Sequence, residues 1–60
     1  MKYVSVVTVG GLDYTIPTTR NPGETRLEWT ERHQKAVRAF LQTNFPEGGW
    51  EKITWTEVSS

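Results

Sequence analysis

The sequence predicts an α+β domain of order ββαβ: a three-stranded antiparallel sheet with one amphipathic helix packed on one face. Three observations carry that expectation. Four of the seven residues in Tyr3–Val9 are valine, and Gly10-Gly11 follows at once, the composition of a strand running into a tight turn. Trp29, His33, Ala36, Val37, Phe40, Leu41 and Asn44 recur at spacings of three and four, which puts them on one helix face. In Trp50–Val58, Ile53 and Trp55 share one face while Lys52, Thr54 and Thr56 share the other, as alternation along a strand requires.

Taken in order, residues 3–9 form the first strand and Gly10-Gly11-Leu12-Asp13 supplies the turn chemistry. Tyr14-Thr15-Ile16 is the second strand, and Pro17, which lacks an N–H for the ladder, is expected to stop it. Thr18–Gly23 reads as a loop with a turn at Asn21-Pro22-Gly23. Thr25 and Glu28 match a capping box, starting the helix near residue 26. Arg26–Thr30 also alternates polar with apolar, so a short extended segment ending at a Thr30 N-cap is the alternative. On the solvent side, Glu28–Arg32 and Glu31–Lys35 stand four apart in the favourable order for ion pairs. Pro46 closes the helix, Glu47-Gly48-Gly49 makes the next loop, and the last strand is expected beside the first. Ile53, Trp55, Trp29 and Phe40 are the expected core.

Sixty residues make one domain, 1–60, and without cysteine there is no disulfide and no thiolate metal site. A domain of this size buries only about 60% of its unfolded surface. Seven basic residues balance seven acidic ones, which disfavours a strongly cationic nucleic-acid binder. No leader pattern follows Met1-Lys2, and no run approaches the roughly 20 apolar residues of a membrane span. A cytoplasmic location is expected.

His33 is the one histidine, and its place on the apolar stripe points to packing rather than general-base work. Glu24, Glu28 and Glu31 lie among Arg20, Arg26, Arg32 and Lys35, a setting of caps and ion pairs. No serine is placed as a nucleophile and no glycine-rich phosphate loop is present, so a non-enzyme without metal or cofactor is expected. Five basic residues fall between positions 20 and 38 against three glutamates there, a net of plus two. That makes nucleic acid the lesser partner class. Three Trp, two Tyr and two Phe in 60 residues exceed what so small a core takes in, and surplus aromatics are the material of binding hot spots. The expected partner-binding set is Tyr14, Trp50, Lys52 and Thr54 on the sheet face and edge, with Arg32, Lys35 and Arg38 steering from the helix.

Tyr3–Val9, Tyr14-Thr15-Ile16-Pro17, the helix, Pro46-Glu47-Gly48-Gly49-Trp50-Glu51 and Ile53–Val58 together resemble the small phage-encoded inhibitors of bacterial RNA polymerase. The resemblance is architectural and spans most of the chain. It implies a ββαβ fold and action by binding a host protein. In that family the final strand carries arginines that make the inhibitory contacts, whereas here it reads Ile53-Thr54-Trp55-Thr56 with only Lys52 basic nearby. The opening Met1-Lys2-Tyr3 and the helix after the hairpin also resemble the hic-type antitoxins, without their Pro-Asp-Leu-Pro-Gly signature. The expected function is a phage- or prophage-type, non-enzymatic module that binds and modulates a host protein, as a monomer or weak homodimer. The alternative is a nucleic-acid-binding or antitoxin-like regulatory module using the basic helix face.

Overall fold

The computed structural model describes residues 1–59. Its elements are β1 (Lys2–Val9), β2 (Leu12–Thr19), α1 (Arg26–Asn44) and β3 (Trp50–Val58), with strand order β2-β1-β3 and both pairings antiparallel. The ββαβ expectation holds, and the Val-rich strand is the central one. Because β2 and β3 both run antiparallel to β1, they are parallel to each other, and α1 carries the chain from one sheet edge to the other across a single face.

The hairpin needs only two turn residues. Gly10 and Gly11 have φ of 58° and 81°, the left-handed pair that a two-residue turn demands and that glycine adopts without a Cβ clash. Leu12 and Asp13 therefore belong to β2, opposite Val9 and Thr8, and the Thr8 hydroxyl donates to Asp13 Oδ1 at 2.7 Å.

Pro17 does not stop β2, which runs on to Thr19. The Arg20 N–H donates to Met1 O at 3.0 Å, so alternation along the ladder makes Tyr3–Thr18 a hydrogen-bonded pair and Val4–Pro17 a non-bonded one. The missing N–H of Pro17 therefore points off a free edge, where no partner strand needs it. Thr18, expected in a loop, is instead a buried strand residue.

The capping box is present in both directions. Thr25 Oγ1 accepts from the Glu28 N–H at 3.1 Å, and Glu28 Oε1 accepts from the Thr25 N–H at 2.9 Å. The helix runs through Asn44, where the Phe45 N–H closes the last turn on Leu41 O at 2.7 Å. The helix ion pairs do not form as spacing suggests. Glu28 is spent on the cap, and Arg32 turns instead to Glu24 in the preceding loop, Nε to Oε2 at 2.8 Å and Nη2 to Oε1 at 2.9 Å. No Glu31–Lys35 bridge forms among the described residues; the two ion pairs there are Arg32–Glu24 and Arg26–Glu57.

The sheet sorts its side chains by parity. Tyr3, Ser5 and Val7 of β1 point toward the helix and are buried, while Val4 and Val6 on the open face are half-buried. The helix-facing neighbours are Tyr14, Ile16 and Thr18 on β2 and Ile53, Trp55 and Glu57 on β3. The core differs from the expected set. Tyr3, Val7 and Trp29 form it, with Tyr3 stacked on Trp29 at 3.6 Å between centroids and 16° between planes. Ile53 and Trp55 remain 43% and 44% exposed.

The reason is lateral placement. Trp29 Nε1–H donates to Thr18 O at 2.9 Å, the Arg32 guanidinium donates to Thr19 O, and His33 bonds Thr18 Oγ1. All three tie the first half of α1 to β2. The helix thus covers β2 and β1, and a cylinder of about 10 Å cannot also cover a third strand about 4.8 Å further on.

Candidate functional site

Two places gather chemistry on the helix side of the sheet. The first is the interior around His33, which has no exposed surface. Its Nε2 hydrogen-bonds with Ser5 Oγ at 2.7 Å and its Nδ1 with Thr18 Oγ1 at 2.7 Å. A neutral imidazole offers one donor and one acceptor, so one hydroxyl donates to the ring while the other accepts from it. The ring also meets Trp55 edge-on at 4.7 Å. One helical side chain thereby engages all three strands.

A serine, a histidine and a third hydroxyl in a chain invite comparison with a nucleophile, a base and its orienter. The surroundings point elsewhere. Ser5 is only 1% exposed and sits mid-strand in β1, whose amides are committed alternately to β2 and β3. No free N–H stands beside its Oγ to receive an oxyanion. The triplet acts as a polar clamp, and every buried side-chain polar atom among the described residues is partnered.

Burial lowers the His33 pKa below its ordinary value, because the charged ring would lose hydration that two hydroxyls replace poorly. At the loop, the Arg32 guanidinium and the Asn21 N–H hold the Glu24 carboxyl at about 2. The Thr25 N–H likewise lowers Glu28. All three folded values lie below the unfolded ones, so the unfolded chain binds more protons and stability is lost as the pH is lowered. We expect acid unfolding in two stages. The first begins below about pH 6.5 as His33 is driven to protonate. The second begins below about 4.5, through Glu24 and Glu28. Urea midpoints from pH 8 to 3 check this, and a midpoint flat between pH 7 and 5 would contradict the His33 stage.

The second place is the uncovered strip beside the helix. An open groove of about 480 Å³ lies between α1 and β3. Val37 and Leu41 form its helix wall, Phe45 and Pro46 its end, and Trp50, Ile53 and Trp55 its sheet wall. Ser5 reaches the floor, and Gln34, Arg38 and Gln42 line the rim. Trp50, at 43% exposure, stands with Ile53 and Trp55 as a continuous apolar surface open to water.

The expected partner-binding residues do not share one surface. Lys52 and Thr54 occur on β3, and their pairing with Thr8 and Val6 puts them on the open face, away from the helix. Tyr14 faces the other way, packed against Phe40 at 5.8 Å and Phe45 at 5.5 Å. Trp50 is in the groove, on the helix side, because the register shift after Thr8 pairs it with Val9. The sheet-face set therefore divides between two faces. The helix set divides too. Arg32 is held on the β2 side by Glu24 and Thr19 O, Arg38 lines the groove on the β3 side, and Lys35 is exposed between them. Six residues of helix put Arg32 and Arg38 about 120° apart, too far to form one cationic patch.

Val37, Leu41, Phe45, Ile53 and Trp55 were not expected as site residues. A signal for them exists in the chain. Val37 and Leu41 lie toward one flank of the helical stripe, beyond the sector occupied by Trp29, His33 and Phe40. One helix over three strands must leave one strand short of cover. No cluster of three or more His, Asp or Glu side chains placed to hold a metal ion occurs among the described residues. No helix there is long and apolar enough to cross a membrane. Set against known protein families, curated proteins and solved structures, the chain matches none of them.

Proposed function

We propose that this protein is a non-enzymatic, cytoplasmic binding module that takes hold of another protein through the groove between α1 and β3. The observation that carries the reading is the exposure of Trp50, Ile53 and Trp55, at 43–44% each, beside Val37, Leu41 and Phe45. A contiguous apolar surface with two tryptophans, rimmed by polar groups, has the composition of an interface core. The phage- or prophage-type role, with a host protein as the target, is part of the same proposal. It is supported by the ββαβ order that the resemblance implied, and the arginine-free final strand moves the contact surface to the aromatics.

The test is capture of partners from bacterial lysate by the tagged protein at low and high salt, with and without nuclease. We expect a discrete protein retained under all four conditions, because apolar docking is screened little by salt. Ile53→Lys should abolish capture while leaving the circular dichroism spectrum unchanged, since Ile53 is nearly half exposed. Capture that vanishes with nuclease or high salt would overturn the reading in favour of nucleic acid.

A further inference from the structure

We infer that the occupant of the groove is an amphipathic α-helix of the partner, lying alongside α1 over β3 with an acidic residue set against Arg38. The inference rests on the groove being the binding surface and adds what binds there. Its first support is the direction of the backbone. The N–H and C=O groups of β3 lie in the plane of the sheet, whereas the groove is built above that plane from side chains. Its floor hydroxyl, Ser5 Oγ, is already committed to His33. The free ladder edge of β3 points sideways, in the sheet plane, so a segment seated over the face between α1 and β3 joins no ladder. An α-helix, which satisfies its amides internally, suits that seat better than an extended strand.

The dimensions agree. Helices pack at 8–10 Å between axes, and one set beside α1 at that distance comes to lie over the strand that α1 leaves bare. Val37 and Leu41, four residues apart, form one ridge toward the groove, with Gln34 and Arg38 forming the next. Ridges of this kind receive the i, i+3, i+4 and i+7 side chains of a second helix. From Gln34 to Phe45 the groove runs about 17 Å along α1, room for about three helical turns.

Charge sets the flank of the incoming helix. Arg38 is the one charged residue lining the groove, and it is exposed and makes no ion pair among the described residues. Arg32 and Arg26, by contrast, already hold Glu24 and Glu57. An acidic side chain beside the apolar anchors therefore meets an unspent cation.

Three synthetic peptides of about 18 residues (five turns) test this against the intact protein. One carries Leu and Phe at helical spacing with glutamate flanks. A second replaces those glutamates with lysine, and a third rearranges the first into strict alternation. Binding is read from tryptophan fluorescence, peptide helicity from circular dichroism, and location from the methyl resonances of Val37, Leu41 and Ile53. We expect the glutamate helix to bind and gain helicity. The lysine form should bind about two- to fivefold more weakly, the reach of a rim ion pair, and Arg38→Glu should reverse that order. The inference is overturned if no helical peptide shifts those methyls at about 1 mM, if the alternating peptide binds as well, or if Arg38→Glu leaves the preference unchanged. Methyl shifts that follow protein concentration alone would give the groove to a second copy and overturn it too. If the peptides fail while lysate capture still depends on Ile53, the helix is wrong and the binding module stands. If capture is lost to nuclease, the functional reading itself falls.

Discussion

His33→Phe is expected to unfold most of the protein at neutral pH, although phenylalanine nearly fills the space of the imidazole. The substitution leaves Ser5 Oγ and Thr18 Oγ1 without their partner in residues only 1% and 6% exposed. Each orphaned hydroxyl costs about 1–3 kcal/mol, and a core of this size supplies only about 3–5 kcal/mol in all. The decisive control is the triple variant Ser5→Ala, Thr18→Val, His33→Phe, which replaces the whole polar clamp with apolar groups of similar shape. It should recover most of the lost stability and lose the first stage of acid unfolding. Urea denaturation followed by circular dichroism measures both. A His33→Phe protein within about 0.5 kcal/mol of the parent would show that the clamp contributes little.

Trp29→Ala is the second large effect. Trp29 is 1% exposed, stacked on Tyr3, and its indole N–H donates to Thr18 O at 2.9 Å. Removing a buried aromatic costs about 3–5 kcal/mol, again close to the whole stability of the domain, so no cooperative thermal transition should remain. Trp29→Phe keeps much of the stack and loses the hydrogen bond. A loss of about 1–2 kcal/mol is expected for it, lowering the melting temperature by roughly 4–16 °C at about 4–8 °C per kcal/mol for a domain of 60–100 residues. If Trp29→Ala melted cooperatively within a few degrees of the parent, the Tyr3–Trp29 stack would not be the centre of the core. His33 is buried against Trp55 and Ser5, which line the groove, and Trp29 is buried beside Tyr3. Loss of binding in either variant is therefore read beside its own unfolding curve, whereas Ile53→Lys and Arg38→Glu act on exposed residues of the groove itself.

The two effects share an origin in how the helix is fastened. Trp29, Arg32 and His33 all bond to Thr18 or Thr19, at the end of β2. Those bonds fix the near half of α1 over one side of the sheet, and the same fastening leaves β3 open on its helix-facing side. Stability and the groove are consequences of one asymmetry. A variant that shifted α1 toward β3 would gain cover for Trp55 and Ile53 and lose the proposed binding surface.

Local signals were legible in the chain because they act over a few residues. The Thr25–Glu28 capping box spans four residues, the Gly10-Gly11 turn two, and the unbroken alternation of Lys52–Val58 in β3 seven. Each is set by backbone sterics and short-range hydrogen bonding. Pro17 was misleading for a definite reason. Its missing N–H forbids a ladder bond on one side only, and whether that side faces a partner depends on which edge of the sheet the strand occupies. The Glu24–Arg32 pair likewise displaced the expected Glu28–Arg32 pair because the loop folds back on the helix, which spacing along a helix does not encode.

The sequence by itself determined the ββαβ order, the hairpin, the start of the helix and the alternation of Ile53 and Trp55 with Lys52, Thr54 and Thr56, since hydrophobic period and turn chemistry are properties of neighbours in the chain. The tertiary structure alone decided that His33 would find hydroxyls 28 and 15 residues away, that Tyr3 rather than Ile53 would pair with Trp29, and that the aromatics of β3 would line a groove. Those outcomes depend on where a helix about 10 Å wide comes to rest on a sheet wider than itself. That lateral position is set by long-range bonds, most of them to Thr18 and Thr19 with Ser5 and Glu57 the partners on the other two strands, which no periodicity in the sequence records.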